Sequence, residues 1–573
     1  METFQERKHG MEKENGNIKN ILEGMIRKGL EAYSRSMGMA SPEVPILIER
    51  PAIKTFGDFA TNIAMQTAGI FKKNPMAIAE GIKAGIGVNP FVKEVSVAKP
   101  GFINFHLAPG SSSYILNTIW KEGERFGKQA TGKGKKVLIE FMSANPTGPL
   151  HIGHARNAIL GDSIARALEA GGYEVTREYY YNDAGVQMKK LGLSLRARYL
   201  QELGRIAEFP EDGYKGEYMI HIARDLISEK GDALATEEDT EIFTHYAACK
   251  IIKLIDEDLK CLGIRFDNWF SESSLHEKGK VAESLQYLKD KDMLYEKEGA
   301  WWLRTQAFGD EKDRVVIKSD GEKTYLAPDI AYHKDKLERG YDLLINVLGG
   351  DHHGYVPRLK AGVQALGYDA RKLQCIVFQM VSLLKDGETI KLSTRSGRFI
   401  TLREVVEELG VAVVRFFFLM RSSDSQMTFD WQLAKDHSMN NPVYYIQYAH
   451  ARCCSLFKKA EEMGIKWQGM NENILSLLTL EEEENILKIL EKYPETVQLC
   501  IQTLEPHHIT TYLRELAGSF HNFFTTGTKE ETKRIIIPQE PVLTQARLCL
   551  VFALKRVLGN ALHLIGIEPL EQM

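Results

Sequence analysis

Residues Val137 to His154, VLIEFMSANPTGPLHIGH, decide how this chain folds. The stretch opens on an apolar, branched run, Val137 to Phe141, with the length and composition of a buried strand in a parallel sheet. It then breaks into a turn-rich segment, with Ser143, Asn145, Pro146, Thr147, Gly148 and Pro149 in close succession. Beyond the turn, Ile152, Ala155, Ala158, Ile159 and Ile164 recur at near-helical spacing. The reading is therefore strand, loop, helix.

In open α/β sheets ligands bind beyond the carboxyl ends of the strands, and a helix N-terminus with its free N–H groups is a site for anions. His151-Ile152-Gly153-His154 falls at such a junction. Two histidines three apart face one side of a first helical turn, and Gly153 between them allows a ligand close to the backbone. A polyphosphate fits that description. Two surface caps fit it as well, and the tetrapeptide alone does not decide.

The same pattern continues outward. A second strand-like run, Tyr173 to Tyr181, ends in the turn NDAGVQ, Asn182 to Gln187. Residues 191–300 are mostly helical by period and read as an insertion between two halves of a nucleotide fold, with DLKCLGIRFDNWFSES passing from helix to strand. The second half supplies Ser319 to Lys336, a strand from Asp342 to Leu348, and GGDHHGY, Gly349 to Tyr355. His352 and His353 beside Asp351 bring zinc to mind, but no third and fourth ligands follow at fixed spacing. Asp386-Gly387 predicts a hairpin turn, after which come Lys391, Leu392, Ser393, Thr394 and Arg395.

Upstream, the pattern around Ile21, Met25 and Leu30 predicts a helix, as does the run Phe59 to Phe71, with strands at Val44 to Ile48 and Phe102 to Leu107. Residues 116–131 read as a connecting helix. From about residue 440 the chain is helical nearly throughout, in Ile486 to Leu490, Tyr512 to Phe524 and Ala546 to Ile565. Phe520, Phe523 and Phe524 read as core on their spacing, and EEEE at 481–484 as a solvated helix start.

With 573 residues, 44% hydrophobic and 26% charged, the chain has the make-up of an ordinary soluble protein of several domains. A net charge of −4 gives no global sign of nucleic-acid binding. Locally, residues 1–115 hold 14 Lys and Arg against 11 Asp and Glu, and residues from Val443 onward 13 against 16. The 7 cysteines are odd in number and form no CxxC pair, so neither a disulfide framework nor structural zinc is indicated. The first twenty residues lack an apolar signal region and no run is long enough to span a bilayer, which predicts a cytoplasmic protein without membrane contact.

The sixteen residues SANPTGPLHIGHARNA, Ser143 to Ala158, match nearly letter for letter the signature of class I aminoacyl-tRNA synthetases in its arginyl form. The chain resembles the arginyl-tRNA synthetase family over about residues 17–573. FGDFATNIA and KPGFINFHL resemble its N-terminal domain, which touches the tRNA elbow. YIQYAHARCCS, LRELAGSFHNFF and LHLIGIEPLEQM resemble its anticodon-binding domain. Residues 1–16, polar and without periodicity, read as a flexible tail, and the resemblance implies a small α/β tRNA-contacting domain at 17–115. A Rossmann-type α/β catalytic domain at 116–430 follows, with a parallel sheet and its helical insertion at about 191–300. An all-α anticodon-binding bundle at 431–573 ends the chain.

It further implies ligation of L-arginine to its tRNA through an arginyl-adenylate, with ATP as substrate, Mg²⁺ accompanying it, and a monomeric enzyme. His151, Gly153 and His154 would bind ATP phosphates, and Lys391, Ser393 and Arg395 would serve in the position of the KMSKS loop. Glu140, Tyr325 and Asp329 would hold the guanidinium, and Ser143 and Asn145 the amino acid's polar end. A planar, permanently charged guanidinium with five donors requires such carboxylates, and Tyr325 and Asp329 at i and i+4 share a helix face. Two positions depart from the family pattern. The second lysine of KMSKS is Thr394, and the compensating lysine that some relatives carry before HIGH is Gly148. The expected cation is Arg395, with Lys391 assisting. A tRNA-binding paralogue with impaired catalysis is the alternative.

Overall fold

The computed structural model describes residues 18–51, 53–108, 111–390 and 400–573. The stretch quoted above forms strand β4, Lys136–Glu140, a loop, and a long helix, Ile152–Ala170. Numbering from the start, β1 is Phe59–Thr61, β2 Val92–Ala98 and β3 Phe102–Leu107. After β4 come β5, Glu174–Tyr181, β6, Asn268–Ser271, then β7 to β9 at Leu294–Lys297, Ala300–Leu303 and Arg314–Ile317. β10 is Leu343–Gly349, β11 Leu373–Phe378, β12 Val381–Lys385, β13 Glu388–Ile390 and β14 Met427–Asp430.

The central sheet has five strands in the order β11-β10-β4-β5-β6, every neighbouring pair parallel. Taken in chain order, this is the doubly wound arrangement in which the first strand, β4, lies beside the fourth, β10. The chain winds outward from there in both directions, which makes the β4/β10 crevice the topological switch point. Val137, Leu138 and Ile139 are fully buried, as a parallel strand covered on both faces requires. Glu140 is therefore on a central strand, not at an edge, and it pairs in register with Asn346 of β10.

The segment read as an insertion is mostly helical, with helices Val186–Glu202, Glu217–Lys230 and Thr240–Cys261. Its strand β6 belongs to the main sheet. A smaller antiparallel sheet, β7-β8-β9, precedes the second half. The Asp386-Gly387 turn joins β12 to β13, and both residues have positive φ, 54° and 80°, as a type I′ hairpin demands.

Near the N-terminus, helix Ile18–Ser36 and helix Pro75–Gly85 pack on the sheet β1-β3-β2. Two local expectations fail here. Val44 to Ile48 forms no ladder, and only Glu49 bridges to Ala60. The run from Phe59 begins as β1, paired with β3 through Phe59 and Phe105, before two short helices at Ile63–Gln66 and Ala68–Phe71. Long-range pairing outweighs the local helical period. The expected connecting helix spans Tyr114–Glu122. The C-terminal part is a helix bundle, with long helices Pro442–Glu462, Glu481–Thr503, His507–Lys529 and Pro541–Leu564. Its core is continuous with that of the central sheet. Phe520 and Phe523 lie in that core, while Phe524 is partly buried beneath the Arg452 guanidinium, 4.0 Å from its ring centre.

Candidate active site

The two histidines of HIGH are fixed by the helix they begin. His151 is the N-cap, in extended conformation, and its Nδ1 accepts the Gly153 N–H at 3.0 Å. His154 Nδ1 accepts the His151 N–H at 3.2 Å, closing a capping box made of two imidazoles. The rings stack with centroids 3.8 Å apart. Burial lowers the pKa of both, that of His154 to about 3 with the neighbouring His151 adding to the effect. Each ring is therefore neutral at pH 7, and with Nδ1 accepting, its proton sits on Nε2. The helix start thus carries two Nε2–H donors beside its own N–H groups, a neutral cradle for phosphate oxygens.

Residues beyond the KMSKS position return to this point. Leu402 N donates to Leu150 O at 2.8 Å, Ile152 N to Ile400 O at 3.3 Å, and His151 bridges Thr401. Lys391, Ser393, Thr394 and Arg395 lie outside the described residues.

Across the switch point the carboxyl end of β4 meets the helix Leu326–Glu338, and acidic groups converge. Glu140 is buried, its Oε1 taking the Ser143 hydroxyl at 3.1 Å and its Oε2 the Lys336 ammonium at 2.5 Å. Lys336 is fully buried, lies 4.0 Å from the centre of the Tyr332 ring, and also donates to Asn346 Oδ1 at 3.2 Å. Asp329, one turn into its helix, accepts the Tyr355 hydroxyl. Burial pushes its pKa up to about 7, against the pull of that hydrogen bond and with the charges of Glu140 and Glu272 adding to the rise. Glu272, buried at the end of β6, accepts the Tyr180 hydroxyl at 2.5 Å, and burial raises its pKa too. Two neighbouring carboxylates thus press on Asp329 while Lys336 alone opposes them with a positive charge, an arrangement that leaves room for a further cation.

The nearby Glu178 does not share this deficit. It is fully buried but takes both terminal nitrogens of Arg339, at 2.6 and 2.9 Å, together with Tyr332 and Asn268. It is a satisfied structural carboxylate.

The loop between strand and helix is under strain and firmly held. Met142 and Ser143 both have positive φ, 71° and 44°, which costs non-glycine residues about 1 kcal/mol or more each. Asn157 Oδ1 accepts the Met142 N–H at 2.9 Å, and the Tyr179 hydroxyl donates to Ala144 O at 2.9 Å while accepting its N–H. Asn145 is exposed, its side chain donating to Gln187 of the NDAGVQ turn at 2.9 Å.

The structure thus brings Glu140, Ser143, Asp329, His151 and His154 around the ends of β4 and β10. Tyr325 is placed at the cap of the Asp329 helix with most of its ring exposed, 82%. The sequence reading did not single out Glu272, Tyr180, Tyr355 or Lys336. For Tyr355 the signal was present, since GGDHHGY follows β10 at the switch point; Glu272 comes from a distant segment, and Tyr180 and Lys336 carry no local mark. Among the described residues no group of three His, Cys, Asp or Glu side chains is arranged to hold a metal ion. His352 lies 3.7 Å from Asp351 and edge-on to the Tyr355 ring.

A doubly wound parallel sheet with this histidine-capped helix at its switch point is the catalytic domain of a class I aminoacyl-tRNA synthetase. Residues 115–427 match the family "tRNA synthetases class I (R), catalytic domain". Residues 17–107 match "Arginyl tRNA synthetase N terminal domain" and 446–573 "DALR anticodon binding domain". The chain belongs to the arginyl-tRNA synthetase family. It is 48% identical over 562 residues to the arginine--tRNA ligase of a Geobacter species, covering 97% of this chain and all of that one. To the arginine--tRNA ligase of Shouchella clausii it is 47% identical over 536 residues, 93% of this chain and 95% of the relative. A solved structure titled as a putative arginyl-tRNA synthetase from Campylobacter jejuni superimposes with a TM-score of 0.73 at 37% identity, over 82% of this chain and all of that one. The arginyl-tRNA synthetase of Thermus thermophilus shares the fold at 22% identity, TM-score 0.73, over 96% and 99%.

Proposed function

We propose that the chain joins L-arginine to its tRNA in two steps at the β4/β10 crevice. The arginine carboxylate attacks the α-phosphate of ATP, forming arginyl-adenylate and releasing pyrophosphate. A ribose hydroxyl at the tRNA terminus then attacks the acyl carbon, and AMP leaves. The substrate brings its own nucleophile, so the protein's work is positioning and electrostatic stabilisation.

The observation that carries this reading is the pairing, on one crevice, of a neutral two-histidine phosphate cradle with a cation-deficient carboxylate pocket. In it, His151 and His154 donate through Nε2 to the phosphates, and Gly153 allows close approach. Asp329 and Glu272, with Glu140 behind them, receive the guanidinium, while Ser143 and Asn145 meet the amino acid's polar end. Tyr325 covers the mouth of the pocket. Mg²⁺ would arrive bound to the ATP phosphates and neutralise charge there, since it keeps most of its water and needs few protein ligands. Arg395, with Lys391 assisting, takes the part of the missing KMSKS lysine at the leaving pyrophosphate, and Ser393 binds ATP beside them.

The histidines and carboxylates retained in the crevice support catalysis rather than an inactive paralogue. The chain acts in the cytoplasm as a monomer. No described helix is long and apolar enough to cross a membrane. Charging of bulk tRNA with arginine by the wild type, and its loss in Asp329→Asn with citrulline and lysine inactive throughout, is the expected result. Retention of arginine charging by Asp329→Asn contradicts the pocket. Arginine-dependent ATP turnover left intact in Arg395→Ala contradicts the role of that residue.

A further inference from the structure

The loop Ser143 to Pro149 is pinned by two tyrosine hydroxyls. One is Tyr179 of β5, already described. The other comes from the helical insertion. Tyr218, in the first turn of the helix Glu217–Lys230, donates its hydroxyl to Thr147 O at 2.7 Å. Its ring is partly buried against the central core. It lies between two glycines. A Cβ on Gly216 would come within 2.5 Å of the ring, and a Cβ on Gly148 within 3.2 Å of the hydroxyl oxygen and 3.3 Å of the carbon bearing it.

At Gly148 the three nearest atoms that an added Cβ would meet all belong to Tyr218, and the backbone does not occupy the left-handed region. A side chain at 148 would therefore meet the tyrosine first, closely enough that one of the two must give by a few tenths of an ångström. Thr147 stands four residues before His151, so the carbonyl held by Tyr218 sets how the chain enters the histidine cap. A shift of a few tenths of an ångström there moves both Nε2–H donors with respect to the phosphates, and misplacement on this scale is costly in catalysis.

We propose that Tyr218 is a positioning residue for ATP, through which the helical insertion fixes the loop ahead of the HIGH helix, and that Gly148 exists to admit it. This rests on the reading of the His151 helix start as the phosphate site. Tyr218 acts through Thr147 O and the backbone to His151.

The test is a steady-state comparison of full-length wild type, Tyr218→Phe, Tyr218→Ala, Gly148→Ala and Gly148→Ala in the Tyr218→Ala background. Tyr218→Phe keeps the ring and loses one hydrogen bond, so KM for ATP rises about fivefold while KM for arginine and the melting temperature stay at wild-type values. Gly148→Ala raises KM for ATP in the wild-type background and has no further effect in the Tyr218→Ala background, a coupling expected only if the methyl and the tyrosine compete for one space. Equal rises in both KM values, or a fall in melting temperature with no change in KM for ATP, overturn the proposal by making Tyr218 a structural anchor. Additive effects of the two substitutions overturn it as well. If instead His151→Asn leaves ATP kinetics unchanged, the phosphate-site reading fails, a result separable from any seen with Tyr218.

Discussion

Arginine binding should depend on pH through Asp329. In the free protein burial holds this carboxyl at a pKa of about 7, opposed by the Tyr355 hydroxyl and reinforced by Glu140 and Glu272. The guanidinium is charged at every pH of interest, so it binds the ionised carboxylate. Below pH 7 the site must first lose a proton, and the apparent dissociation constant is the intrinsic one divided by the ionised fraction. That fraction is about 0.9 at pH 8 and about 0.1 at pH 6, so the dissociation constant rises about tenfold between them. Calorimetric titration of arginine into the protein across this range reads it directly, and in buffers of differing ionisation enthalpy it should show about half a proton released at pH 7. Tyr355→Phe removes a bond that favours the ionised form and should move the midpoint above 7. A dissociation constant flat from pH 6 to 8, or a midpoint that survives in Asp329→Asn, would refute the reasoning.

The same raised pKa has a cost in stability. A carboxyl whose folded pKa lies above its unfolded value contributes stability that is full below about pH 4 and is lost as pH rises through 7. Asp329→Asn should therefore stabilise the free protein at pH 8, by about 1–3 kcal/mol, and hardly at all at pH 4, as thermal unfolding at the two values will show. His151→Asn separates the two roles of that residue. Asparagine is among the best N-caps, so the melting temperature should hold, while loss of a phosphate donor should lower kcat about 100-fold or more in an arginine-dependent charging assay.

What the sequence made legible was whatever depends on neighbours in the chain. The strand, turn and helix of residues 137–154 follow from period and turn chemistry, and Asp386-Gly387 from the positive φ that its hairpin demands. The start of the Phe59 run departs from its local helical period because pairing with β3 decides it, and that partner lies some forty residues downstream of β1, whereas Val44 to Ile48 forms no ladder with any strand. The pocket divides in the same way. Glu140, Ser143 and Asn145 sit within one motif, whereas Glu272 reaches the site on β6, Lys336 on the far turn of the Asp329 helix, and Tyr355 after β10. Only the folded sheet puts them together. Gly148 looked like a vacancy in the sequence and turns out to be the contact surface for a tyrosine from the insertion.

Charging of unfractionated tRNA, assayed with each amino acid in turn, tests the central claim most directly. The carboxylate pocket at the β4/β10 switch point predicts arginyl-tRNA as the product, dependent on ATP and abolished by Asp329→Asn. Charging with another amino acid in preference, or no product from the folded protein with arginine, would contradict it.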